Sequence, residues 1–186
     1  TNVRVAARVR PLLPREQVAN SCNCITVQSP QQLVVGTRRT FAFDVVFDVG
    51  ATQTEVYEGC VASLLAGCTQ GYNATILAYG QTGSGKTHTM GTGQTNAATP
   101  AEEGITPQVI RNSFAHFEQL REEVDFKASC CYLEIYNEEI RDLLQPDTPK
   151  HLIAVREHAD GVIQVQGLHS QACDTVEQML RCLSDG

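Results

Sequence analysis

The sequence predicts an α/β fold in which a glycine-rich loop joins a buried strand to a helix. Three observations carry this. Short apolar runs with β-branched residues alternate along the chain with segments of helical periodicity. Gly80-Gln81-Thr82-Gly83-Ser84-Gly85-Lys86-Thr87 fits the phosphate-loop pattern G-x-x-x-x-G-K-[ST]. The flanks stand in the required order, with the apolar Ala74–Tyr79 before the loop as a buried parallel strand and Lys86–Met90 after it as the start of a helix.

The remaining elements follow from local chemistry. Val3 to Val9 alternates as a first strand, and Pro11 stops it. Cys24 to Val35 holds β-like pieces broken at Ser29-Pro30, and Phe41 to Phe47 reads as one further strand. Thr52-Gln53-Thr54-Glu55 is a capping box. The helix it opens carries Val56, Tyr57, Cys60, Val61, Leu64, Leu65 and Cys68 on one face, and Gly71 can end it. Gly91 to Gly104 reads as a surface loop. Thr106 then caps a helix with Pro107 at its first position and Ile105 stapled onto Ile110, running to about Arg121. Phe126 to Tyr136 reads as a long strand, and Glu138 to Leu144 turns amphipathic before Pro146 and Pro149. Leu152–Val155 and Val162–Leu168 read as short strands around Asp160-Gly161. Asp174 with Glu177 caps a last helix carrying Val176, Met179, Leu180 and Leu183.

Composition bounds the function. At 42% hydrophobic and 19% charged, 186 residues read as a soluble globular domain or part of one. No basic-then-apolar leader and no membrane-length apolar run occur, which argues against secretion and membrane insertion. The net charge of −7 gives no support to nucleic acid as a partner. Eight cysteines form no C-x-x-C pair, so buried reduced thiols are expected rather than a disulfide or metal centre.

The loop's spacing has a chemical reason. Its glycines let backbone N–H groups turn inward around an anion, and a following helix adds its positive end. Lys86 reaches the outer phosphates, while the Thr87 hydroxyl holds a Mg²⁺ ion. The loop begins about 80 residues in and no N-K-x-D motif occurs, which weighs against small nucleotide kinases and GTPases.

Five stretches, in order, resemble the kinesins. They are Arg8–Pro11; Phe41–Asp44 with Phe47-Asp48; Gly71–Thr75 running into Ala78–Met90; Gly104–Pro107; and Tyr132–Leu144. The resemblance covers essentially the whole chain and leans toward the kinesin-4, chromokinesin-like group. It implies a P-loop NTPase of α/β class, a motor domain with a central mixed β-sheet flanked by helices, of which residues 1–186 are the N-terminal portion. The family's switch I, switch II and main microtubule-binding helix do not occur in these residues.

By this resemblance Arg8, Arg10 and Pro11 line the adenine side of an ATP pocket, with His88 against the base. The expected cofactor contacts are therefore Arg8, Arg10, Pro11, Gly80, Gln81, Thr82, Gly83, Ser84, Gly85, Lys86, Thr87 and His88. Lys86 and Thr87 are the catalytic candidates, and Thr87 is the metal ligand. The Tyr132–Leu144 signature is architectural, with Glu134, Glu138 and Glu139 exposed or paired rather than acid–base groups. The implied activity is an ATPase that moves along microtubules, cytoplasmic and cytoskeletal, with dimerisation through segments not present here. A truncated or degenerate relative that binds nucleotide or microtubules without turnover is the alternative. Half of such a sheet is expected to be marginal or aggregation-prone by itself.

Overall fold

The computed structural model describes residues 3–91, 99, 102–122, 124–157, 159 and 161–186. It divides into two compact units, Thr1–Met90 with Ala97–Ile105 and Gly91–Asn96 with Thr106–Gly186.

In the first unit, β1 (Ala6–Arg8) leads through Pro11 into the short helix α1 (Pro14–Val18). Proline suits that first helical position because its missing N–H would be unpaired anyway. A three-stranded antiparallel meander follows, β2 (Ile25–Ser29), β3 (Gln32–Val35) and β4 (Arg39–Ala42), turning at Pro30 as the sequence indicated. The expected single strand Phe41–Phe47 is two. After β4 the chain leaves the meander at Phe43 and Asp44, and β5 (Val45–Phe47) pairs in parallel with β1. Asp44 fixes this switch, since its carboxylate accepts from the Val5 N–H at 2.7 Å while its own N–H donates to Val5 O at 3.0 Å. Val9, Leu33 and Val46 form the buried core between these pieces, with Ala7, Ile25, Val27, Val35 and Phe43 packed around them.

The capping box forms as read. Thr52 Oγ1 accepts from the Glu55 N–H at 3.1 Å, and the Glu55 carboxylate accepts from the Thr52 N–H at 2.7 Å. These bonds to the charged form hold the Glu55 carboxyl below its ordinary pKa. The helix is broken once, into α2 (Gln53–Cys60) and α3 (Ala62–Cys68), at the buried Val61. Val56, Tyr57 and Val61 supply its buried face, whereas Cys68 is exposed.

The segment Ala74–Tyr79 corrects the expectation. It forms no strand, and Leu77 and Tyr79 stand 87% and 101% exposed. A strand exists only through its neighbours' hydrogen bonds, and among the described residues no neighbour pairs with this one. The first unit's last helix, α4 (Lys86–Met90), follows the loop.

The second unit is built on α5 (Ile105–Gln119), whose Ile110 and Phe114 are buried. Helical geometry begins at Ile105, one residue before the expected cap. Most of the Gly91–Gly104 loop lies outside the described residues. The long strand expected over Phe126–Tyr136 is interrupted into β6 (Ser129–Cys130) and β7 (Leu133–Tyr136). Glu138–Leu144 supplies β8 (Glu139–Asp142), antiparallel to β7. Asn137 and Glu138 make the hairpin turn with φ of 49° and 64°, the left-handed pair that a two-residue turn requires. A 3₁₀ turn at Lys150–Leu152 precedes the hairpin β9 (Ala154–Glu157) and β10 (Ile163–Gln166), which agrees with the turn read at Gly161; Asp160 lies outside the described residues.

β11 (Gln171–Ala172) pairs with β6, and α6 (Val176–Asp185) closes the unit. Its cap is Thr175, which accepts from the Gln178 N–H at 3.2 Å, rather than Asp174. Val176, Met179, Leu180 and Leu183 pack with Phe117, Phe126 and Cys130 against Ile110, Phe114 and Cys173. The sheet is thus present as five small sheets of two or three strands rather than as one continuous ladder.

Candidate nucleotide site

Every residue expected at the site belongs to the first unit. In the loop, Gly83 and Gly85 have φ of +81° and +99°, conformations that a side chain would strain. Lys86 folds back over the turn. Its ammonium donates to Gly80 O at 2.7 Å and Gln81 O at 3.1 Å, so the cation sits on the loop's own carbonyls, ready to exchange them for a stronger anion. Thr87 and His88 are exposed at the start of α4.

The first strand delivers its arginines to this loop. Arg10 Cδ lies 3.9 Å from where a Cβ on Gly85 would stand, and Arg15 Nη2 lies 3.8 Å from the same point on Gly83. Arg10 is held in place by a bidentate pair with Glu16, at 2.7 and 2.6 Å, and by a bond to Pro11 O at 2.8 Å. The Glu16 carboxylate also accepts from the Leu13 N–H at 2.8 Å, which caps α1. The Arg10 guanidinium, followed by the Leu13 N–H, pushes the Glu16 pKa down to about 2, and Glu16 in turn raises that of Arg10. Pro11 is exposed beside this pair.

Arg8 has a different place. Its Nη1 donates to Gln53 Oε1 at 2.7 Å and Thr89 Oγ1 at 3.0 Å, and its Nη2 to Ala51 O at 3.2 Å. Partial burial lowers its pKa. Gln53 completes the arrangement by donating through Nε2 to His88 O at 2.6 Å. Arg8 and Gln53 therefore tie β1, α2 and α4 into one frame, and the Arg8 guanidinium is committed to it. Gln53 is a functional residue that the sequence reading missed. Inside a capping box it looks like an ordinary solvated first-turn residue, and only its burial to 7% exposure distinguishes it.

The donor set suits a polyphosphate. It combines an ammonium held only by carbonyls, left-handed glycines that open the backbone, and two guanidinium groups at the rim. Thr87 can supply one hydroxyl oxygen to a Mg²⁺ ion whose other ligands would be phosphate oxygens and water.

The carboxylates of the Tyr132–Leu144 signature are structural. Glu134 pairs with Arg141 at 3.6 Å, and Glu139 pairs with Lys150. Asp142 is 3% exposed and accepts from the N–H groups of Leu144, Gln145 and His169, so it ties the end of β8 to the chain entering β11. Among the described residues no helix is long and apolar enough to cross a membrane.

Comparison with known proteins gives these features a family context. Residues 8–186 match the kinesin motor domain. The chain is 40% identical to the human kinesin-like protein KIF21B, over 99% of this chain and 12% of that protein. It is 44% identical to the chromosome-associated kinesin KIF4 of Xenopus laevis, over 99% of this chain and 15% of that one. It is 38% identical to the kinesin-like protein KIN-4A of Arabidopsis thaliana, over all of this chain and 20% of that one. A solved structure of a fast kinesin superposes with a TM-score of 0.88 at 29% identity, covering 96% of this chain and 50% of that chain. The chain thus spans at most a fifth of these curated relatives and half of the solved one.

Proposed function

The chain belongs to the kinesin motor-domain family, and we propose that it is the ATP-binding N-terminal part of a motor that couples ATP hydrolysis to movement along microtubules. The observation that supports this most directly is Lys86 resting on the carbonyls of Gly80 and Gln81 between left-handed glycines. On binding, Lys86 leaves those carbonyls for the outer phosphates. Backbone N–H groups of Gly80 to Gly85 hold the inner ones. Thr87 gives its hydroxyl oxygen to Mg²⁺, which supplies charge neutralisation for phosphoryl transfer.

Arg10 and Pro11 flank the adenine from the end of β1, and His88 packs from the loop side. Arg8 acts one step back: its bonds to Thr89 and Gln53 fix α4, and with it the direction in which Lys86 and Thr87 leave the loop. Residues 1–186 hold the nucleotide but contain neither family switch motif, so the groups that place the attacking water are to be sought elsewhere in the full-length protein. Its setting is cytoplasmic and microtubule-associated.

The test is phosphate release by the full-length protein with and without microtubules, under nucleotide competition. Microtubule-stimulated turnover that ATP sustains is the expected result. A rate at background would leave a nucleotide- or microtubule-binding protein without turnover. GTP outcompeting ATP would overturn the assignment of the nucleotide.

A further inference from the structure

The second unit contains a group that the nucleotide chemistry does not use. Cys130 comes from β6, Cys173 from the residue after β11, and Cys182 from the third turn of α6, yet their three sulfurs lie within 4.8 Å of one another. The Cys173 and Cys182 sulfurs are 3.9 Å apart, a contact between two thiols. Cys173 is fully buried, and Phe126, Ala128, Val176 and Met179 pack in the same cluster. Sequence alone does not reveal this, because the three cysteines are 43 and 9 positions apart and match no metal spacing.

We propose that Cys130, Cys173 and Cys182 form a three-coordinate thiolate site for a soft monovalent cation, Cu(I). Size supports it. An ion bonded to three sulfurs at about 2.3 Å in a plane sets them about 4.0 Å apart, and the sulfurs already stand near that separation. The ligand count supports it too. Thiolates select soft ions, and Zn²⁺ in a structural site wants a fourth ligand. Among the described residues no His, Asp or Glu joins the three sulfurs.

The chemistry balances without redox change. Each sulfur gives its proton to solvent as it bonds the ion, and copper enters and remains as Cu(I). Burial, together with the neighbouring thiols, pushes the Cys130 pKa up to about 12, and burial raises that of Cys173, so the metal-free group is a set of neutral thiols. Binding is therefore tighter at higher pH. Cys130 is only partly buried, which leaves the resulting negative charge within reach of water. Bound, the ion would join β6, the β11 exit and α6 at one point and stabilise the unit by mass action.

The experiment is an anaerobic titration of the full-length protein with Cu(I) against a colorimetric Cu(I) chelator. It compares the wild type, a variant with Cys130, Cys173 and Cys182 all changed to Ala, and a variant with the exposed Cys22, Cys24, Cys68 and Cys131 all changed to Ser. One tightly held equivalent should vanish in the first variant and survive in the second. Because the first variant removes buried side chains, X-ray absorption on the copper-loaded second variant gives an independent reading, with three sulfurs at about 2.3 Å expected. Loss of the tight equivalent in the second variant, or a copper with only two sulfur neighbours there, overturns the proposal.

Discussion

Two regions of the chain treat their apolar side chains in opposite ways. In the second unit, α6 turns Val176, Met179, Leu180 and Leu183 onto a core of Ile110, Phe114 and Cys173, and Phe114, Phe117 and Phe126 meet ring to ring with centroids 4.7–6.4 Å apart. In the first unit, the approach to the phosphate loop leaves Leu77 and Tyr79 bare, and the loop itself is held by polar bonds from Arg8, Gln53 and Lys86. Apolar packing fixes a shape and keeps it. A loop held by exchangeable hydrogen bonds can give those bonds to a ligand. The contrast separates the part of the chain that stores stability from the part that binds.

Three perturbations probe this contrast, taken from the largest expected effect to the smallest. Phe114→Ala should cost about 3–5 kcal/mol in denaturant unfolding of the full-length protein, by lost burial and a residual cavity in the second unit. Nucleotide affinity measured while the variant is still folded should be unchanged. A fall in affinity parallel to the fall in stability would dissolve the separation. Arg8→Met should cost about 1.5–3 kcal/mol, because Gln53 and Thr89 lose a charged donor. It should also weaken nucleotide binding, since the frame that aims α4 is loosened. A stability loss with binding intact would make Arg8 a purely structural residue.

The third is a pH effect at the Arg10–Glu16 pair. Glu16 has a folded pKa of about 2, against about 4.3 for an unperturbed glutamate. A depressed carboxylate contributes stability that is complete above the unfolded value and fades as pH falls toward the folded one. The difference in stability between wild type and Glu16→Gln should therefore be constant above about pH 5 and shrink steadily down to about pH 2. A difference that does not change over that range would show that Arg10 is held by something other than the Glu16 carboxylate.

Which features were legible in sequence follows from how local their causes are. The Thr52–Glu55 box, the turn at Pro30, the hairpin around Gly161 and the apolar stripe of α6 rest on residues within a few positions of one another, and they form as read. Features that depend on distant partners did not follow. Ala74–Tyr79 has the composition of a buried strand, but burial and pairing come from neighbours, and none pairs with it among the described residues. The solved kinesin that superposes on this chain is twice as long as the stretch matched, which accords with the central sheet appearing here only in pieces.

The site shows the same division. The phosphate loop announces itself through spacing alone, and Arg8-Val9-Arg10-Pro11 stood out only through resemblance. Gln53 had no signal, because its role is to bridge Arg8 to the His88 carbonyl, 35 positions away. The cysteines also divide by distance. Cys22, Cys24, Cys68 and Cys131 are exposed, contrary to the expectation of burial, while the three that converge come from separate elements.

The central claim is that Gly80–Thr87 holds the nucleotide through Lys86. The most direct measurement is calorimetric titration of Mg-ATP into full-length wild type and Lys86→Ala, with ATPase activity measured on the same preparations. Losing a charged donor to the outer phosphates removes about 1.5–3 kcal/mol or more, so the account predicts at least a tenfold loss of affinity and no detectable turnover. Undiminished ATP hydrolysis by the Lys86→Ala protein would contradict it.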